Sequence, residues 1–195
     1  GGGGGCGGGG GGGKLMTKFN NLNVYVFVCL LILYSCATIP ARTEPPLEVV
    51  NRVDINRYLG KRYEIARYPN WFQKDCYDVT AYYELNVDGS IKVINRCKDR
   101  QLNGKTREAV GIAHIVDNSN NTKLKVSFHW PFYGNYWIIG LGDDYEYAVI
   151  SEPKRQYLWV LNRKPTMDTA KYNDVIKFLK ERNYDINFLK FTPQE

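Results

Sequence analysis

The chain has 195 residues, 44% of them hydrophobic, and a formal net charge of +6. Its Lys and Arg residues are scattered, which describes a solvated surface and excludes a nucleic-acid-binding stripe. The length allows one domain with a real core.

Residues 1–13 are glycine except Cys6, and Met16 is the more natural start, so residues 1–15 read as an artefactual Gly-rich leader. Residues 16–35 read as a signal. Lys18 supplies positive charge, and Val24 to Leu33 is an apolar run of ten residues, against the roughly 20 that a membrane span needs. The run leads into Leu33-Tyr34-Ser35-Cys36, which resembles a bacterial lipoprotein signal. That resemblance implies a mature chain beginning at Cys36, palmitate or similar acyl groups on Cys36, and a place outside the cytoplasm. Ala37, being non-acidic, implies the outer membrane, with the domain exposed to the periplasm. More than one acyl chain anchors stably where one would not. The other reading is a plain secretory signal with Cys36 incidental. Loss of Lys14 and Lys18 with residues 1–35 takes the net charge from +6 to +4.

Residues 36–53, with Pro40, Pro45 and Pro46, read as the lipidated cysteine and a flexible tether; extended, it reaches roughly 55–60 Å. The folded domain is expected over 54–195. Cys76 and Cys97 are left over, and an oxidising compartment favours one disulfide between them over two free thiols.

From Tyr58 onward the apolar period is two, with short runs of Tyr, Val, Ile and Phe between polar turns. Strands are expected over Gly60–Arg67, Tyr77–Leu85, Ser90–Arg96, Arg107–Val116, Lys123–Trp130, Tyr136–Leu141, Tyr145–Ser151 and Gln156–Asn162. Asp88-Gly89 is a hairpin signal. After Pro165 the period changes: Asp168 can cap a helix to about Arg182 with Tyr172, Val175, Ile176 and Leu179 on one face. A short strand over Leu189–Thr192 follows. Eight regularly spaced strands suggest a sandwich or a barrel, and a closed up-and-down barrel can hold one small ligand. The longer connections, Pro69–Asp75, Lys98–Thr106 and Pro131–Asn135, would share one end as its mouth. Cys76 and Cys97 then lie at that mouth on neighbouring strands. Ala81, Ala109, Gly111, Ala113 and Ala148 are small and leave volume inside.

Five segments carry a family resemblance over about 53–192: YLGKRYEIARYPNWFQ, VTAYYELNVDGSIKVINRC, KVSFHWPFYGNYWIIGL, DYEYAVISEP and YLWVLNRKP. The chain resembles the lipocalins, in particular bacterial outer-membrane lipocalin lipoproteins and apolipoprotein D. The resemblance implies an all-β fold: an eight-stranded antiparallel up-and-down barrel with a C-terminal α-helix packed outside. The family motif falls on Gly60, Arg62, Tyr63, Tyr145 and Arg163. Arg62 stands where the family has Trp, a residue that normally packs across the closed end against the arginine matching Arg163. Two arginines there predict a looser or differently filled closed end, with Glu64 as a possible acidic compensation.

The resemblance also implies a lipid-like ligand, a fatty acid or lysophospholipid, bound for storage or transport, and a role in envelope maintenance or stress. The alternation and the family's inward pattern together place Val79, Ala81, Tyr83, Leu85, Ile91, Val93, Gly111, Ala113, Val126, Phe128, Tyr136, Ile138, Tyr157 and Trp159 inside. The phenols of Tyr83, Tyr136 and Tyr157 could hold a polar head. The alternative is that these residues fill a solid core, which makes the protein a structural envelope lipoprotein. Trp71, Phe72, Trp130, Phe132 and Tyr133 crowd the mouth, as a gate, a membrane contact or rim packing. Homodimerisation stays open. No metal-ligand spacing or Gly-rich phosphate loop stands outside the leader; His114 and His129 point outward, so neither an enzyme nor a cofactor is expected.

Overall fold

The computed structural model describes residues 45–195, so the signal, Cys36 and most of the tether lie outside the described residues. The strands are β1 (Gly60–Arg67), β2 (Cys76–Leu85), β3 (Ile91–Asp99), β4 (Thr106–Ile115), β5 (Lys123–His129), β6 (Phe132–Leu141), β7 (Tyr147–Ser151), β8 (Leu158–Asn162) and β9 (Lys190–Phe191). Their order is β2-β3-β4-β5-β6-β7-β8-β1-β9, and a β1–β2 pairing closes the first eight into a barrel. A four-residue helix, α1 (Ile55–Tyr58), precedes β1, and α2 (Thr169–Glu181) follows β8. Eight antiparallel strands and an outer helix are what the alternation and the resemblance predict.

Local chemistry accounts for the elements. Gly89 takes a φ of +82°, and Asp88 Oδ1 accepts from Ser90 N at 2.9 Å, which turns β2 into β3. Asp168 caps α2 by accepting from Ala170 N and Lys171 N. The helix buries Val175 and Leu179 against the outer wall, on Ile65, Ile139, Val149 and Val160.

Three expectations are corrected. The expected loop Pro131–Asn135 is mostly strand: β5 turns into β6 at the cis Trp130–Pro131 peptide, and His129 pairs with Phe132. Phe132, Tyr133 and Tyr136 favour the pleated strand. Tyr145 does not begin β7; it turns at φ +58° with its N–H on Gly142 O at 2.8 Å. Finally, the last residues of the expected tether belong to the domain. Leu47 and Val53 are buried, Val50 N donates to Ile138 O and Val53 N to Asn120 O, both at 3.0 Å.

The closed end is filled by α1 and two arginines. Arg163 donates to the carbonyls of Arg57 (2.7 Å) and Tyr58 (3.1 Å), which α1 leaves free at its C-terminus, and to that of Lys61 in β1 (3.0 Å). Gly60, at φ +90°, allows this approach: a Cβ there would sit 3.3 Å from Arg163 Nη1. Arg62 is 0% exposed. It donates from Nη1 to Tyr145 O at 3.1 Å, and its guanidinium carbon stands 4.4 Å from the Tyr58 ring centroid. Its Nε and Nη2 have no hydrogen-bond partner among the described residues. The closed end is therefore filled differently, as expected, but not with Glu64 as compensation. Glu64 is buried farther along β1, where it accepts from Arg67 and Thr192 at 2.5 Å and Gln73 at 2.8 Å. Arg67 and Thr192 reach Glu64 first because the β1 bulge between Glu64 and Ala66 and the returning C-terminal segment bring them beside it.

A buried donor left unsatisfied costs about 1–3 kcal/mol. Arg62→Trp is expected to raise the thermal unfolding midpoint by several degrees. An unchanged or lower midpoint in a far-ultraviolet melt rejects this account of the closed end.

Candidate ligand-binding calyx

The barrel interior has an apolar wall, a polar floor and an aromatic mouth. Ile91, Val93, Ala113, Leu124 and Val126 form the wall, with Tyr58, Tyr83 and Tyr136 below. The open room between them amounts to about one water molecule, far below the roughly 300–1,000 Å³ common for ligand pockets. A wider hollow of about 880 Å³, much of it open to solvent, lies outside the barrel beside Val50, Tyr147 and Phe178. Glu48, Asn51 and Arg182 also line it, and Arg182 pairs with Glu48 at 3.9 Å.

The floor is a chain of three phenols. Tyr58 Oη and Tyr136 Oη are 2.6 Å apart, and Tyr83 Oη and Tyr136 Oη 2.8 Å apart. Burial raises all three phenol pKa values, with the Arg62 charge opposing the rise at Tyr58 and Tyr83. The hydroxyls therefore stay protonated. Burial, and then repulsion from Arg62, lowers the pKa of Arg163.

At the mouth, Tyr157 stacks on Trp159 with centroids 5.8 Å apart and planes 10° from parallel. Phe72 covers both, at 5.7 and 6.4 Å. Gln73 fixes this cover: its Oε1 accepts from Trp159 Nε1 at 2.8 Å while its Nε2 donates to Glu64 Oε2 at 2.8 Å. Trp71, Trp130 and Phe132 are exposed by 82, 83 and 76%, whereas Phe72 packs on the Tyr157–Trp159 pair. Cys76 and Cys97 are bonded, with Cα atoms 5.4 Å apart, and pack with Val79.

Of the residues expected inside, Tyr83, Ile91, Val93, Ala113, Val126 and Tyr136 line the lumen. Ala81 and Ile138 belong to the same buried cluster, and Trp159 packs against it. Tyr157 sits at the mouth beside Trp159, before β8 begins. Val79 lies with the disulfide. Phe128 is a correction: it is 36% exposed and packs over Gly111, where a Cβ would come within 2.8 Å of its ring. Leu85 is a correction: it has the inward parity, but it ends β2 at the closed-end hairpin and is 44% exposed. Ala109, expected to leave inner volume, is also exposed. Two further residues line the lumen, Leu124, which the alternation already turns inward, and Tyr58, which sequence reasoning missed. Leu124 shares the inward alternation of Val126, whereas Tyr58 precedes the first strand and carries no period to read. His114 and His129 are exposed. Among the described residues no group of three or more His, Cys, Asp or Glu could hold a metal ion.

Two measurements follow from this geometry. Unfolded phenols ionise from about pH 10, while the three floor phenols stay protonated in the folded state. Their contribution to stability is complete below about pH 10 and falls as pH rises. In an ultraviolet phenolate titration the last tyrosines should ionise only as the protein unfolds. Their full ionisation in the folded protein near pH 10 contradicts this. Glu64→Leu strands Arg67, whose side chain is 14% exposed; the expected loss is near the lower end of about 3–5 kcal/mol. A denaturant midpoint that does not move contradicts the Glu64 network.

Comparison with known proteins agrees with the fold. Residues 53–194 match the lipocalin-like domain family. Outer membrane lipoprotein Blc of Vibrio cholerae is 37% identical over 173 residues, covering 88% of this chain and 98% of that protein. Temperature-induced lipocalin-1 of Arabidopsis thaliana is 39% identical, over 76% of this chain and 83% of its own length. Apolipoprotein D of Macaca fascicularis is 31% identical, over 78 and 82%. Insecticyanin from the tobacco hornworm Manduca sexta shares the fold at a TM-score of 0.64 and 18% identity, over 77 and 86% of the two chains. With a family match across the whole barrel and relatives above 30% identity over most of its length, the chain belongs to the lipocalin family.

Proposed function

We propose that this lipocalin binds a single-chain lipid in its calyx, as a carrier or store anchored to the outer membrane through acyl groups on Cys36. The observation that carries the binding reading is the lumen itself, with its apolar wall, phenol floor and aromatic cover held by hydrogen bonds. The anchoring reading rests on the lipoprotein-like signal and on likeness to the outer membrane lipoprotein of Vibrio cholerae. An acyl chain would gain about 0.8 kcal/mol per buried methylene, so eight methylenes amount to roughly 6 kcal/mol. Binding a longer chain requires Phe72, Tyr157 and Trp159 to part at the mouth. This is a side-chain rearrangement of the kind common at binding surfaces.

The narrow lumen favours a second reading, a filled barrel with a structural envelope role. Tryptophan fluorescence of the purified protein, titrated with hexadecanoic acid and with lysophosphatidylcholine, separates the two. A saturable change at micromolar ligand or below is expected, through Trp159. No saturable change in a protein that melts cooperatively rejects the carrier and leaves the filled barrel.

A further inference from the structure

The geometry points to an anion-accepting floor: the calyx takes a fatty acid carboxylate-first, its head on the phenol chain of Tyr58, Tyr136 and Tyr83 and its charge balanced by Arg62. This rests on the lipid-binding reading and narrows it to acidic, single-chain ligands.

Three observations carry it. First, Arg62 is a fully buried cation without a carboxylate partner, and two of its donors have no partner among the described residues. A buried charge lacking its counter-charge is costly, and a sequence keeps such a group where function requires it. Second, three phenols share two hydrogen bonds. Each bond consumes one proton, so one hydroxyl donor remains unspent at the lumen floor. Third, Tyr58 both lines the lumen and receives the guanidinium on its ring. Arg163 adds a second positive charge near Tyr58 and Tyr83. A carboxylate oxygen accepting from the phenol chain thus meets a donor backed by two cations, in a site shielded from water. A neutral head of equal length meets the donor without the charge attraction. The head group of a lysophospholipid is bulkier and zwitterionic, so it demands more room than this tight floor leaves and gains less from the two cations. In this arrangement Arg62 acts through Tyr58, as a positioning charge.

The test compares octanoate with 1-octanol, and hexadecanoic acid with 1-hexadecanol and lysophosphatidylcholine, on the purified protein and on Arg62→Met. Octanoate is included because its short chain makes the least demand on the closed mouth. The wild-type protein is expected to bind each acid at least ten-fold tighter than its alcohol. Arg62→Met should bring acid and alcohol within two-fold of each other. If Arg62→Met does not fold, Tyr136→Phe, which breaks the phenol chain, serves instead and is expected to reduce the same preference. Equal binding of acid and alcohol by the wild type overturns the proposal, as does an acid preference that survives in the variant. Equal thermal stabilisation by acetate, chloride and octanoate would mark a small-ion site and overturns it too. If alcohols and lysophosphatidylcholine bind but acids do not, the lipid-binding reading stands and this one falls. If nothing binds, both fall.

Discussion

A closed barrel requires its first strand to pair on both edges, and here that seam is short. β1 pairs with β2 through four residues only, Gly60 to Tyr63 against Tyr83 to Thr80. Beyond them the gap is bridged by the C-terminal segment. Thr192 N donates to Ile65 O, Asp78 N donates to Pro193 O, and the Gln194 amide reaches Glu64 O and Val79 O. An open strand edge exposes unpaired backbone groups, so the last residues of the chain complete the wall. The lumen, the floor and the mouth all depend on that closure. The bridge also delivers Thr192 to Glu64, and Glu64 holds Gln73, which positions Trp159. Barrel closure and mouth geometry are thus mechanically one structure.

The two ends of the calyx solve the problem of buried charge in opposite ways. Near the mouth, Glu64 is neutralised by Arg67 and has its oxygens filled by Thr192 and Gln73, so burial leaves little unpaired. At the closed end, Arg62 has one carbonyl and one aromatic ring, and no carboxylate among the described residues. The Tyr145 carbonyl reaches Arg62 from a turn at φ +58°, a conformation that is itself unfavourable for a tyrosine. Tyr145 also accepts from Asp54 N through its hydroxyl at 2.8 Å, which ties that turn to the N-cap of α1. One residue, through its carbonyl and its hydroxyl, therefore connects the cation, the turn and the helix that brings Tyr58 under the lumen.

This asymmetry bears on ligand choice. The aromatic mouth and apolar wall discriminate little among acyl chains, because apolar burial is non-directional. Discrimination has to come from the polar floor, where a missing or unpaired partner is expensive. Small residues on β4 and β7 are compatible with a wide lumen, but Tyr58, Tyr83 and Tyr136 project into it, trading volume for hydroxyl groups.

The amino-acid sequence by itself determined the elements, and its family resemblance chose a barrel over a sandwich. Eight strands, the Asp88-Gly89 hairpin and α2 with its Asp168 cap follow from period-two and 3.6-residue patterns, which are local and survive without knowledge of partners. Cysteine count and compartment sufficed to favour the Cys76–Cys97 pair, and the departure at Arg62 marked the closed end as unusual. Only the tertiary structure decided what fills that end. Tyr58 carries no period, the Glu64–Thr192 contact spans 128 residues, and Leu85 shares the inward parity of Tyr83 yet lies past the lumen. Parity tells which face a side chain takes; depth along the barrel, cavity volume and the partner of a buried charge are set by elements distant in sequence packing together, and no local pattern encodes them.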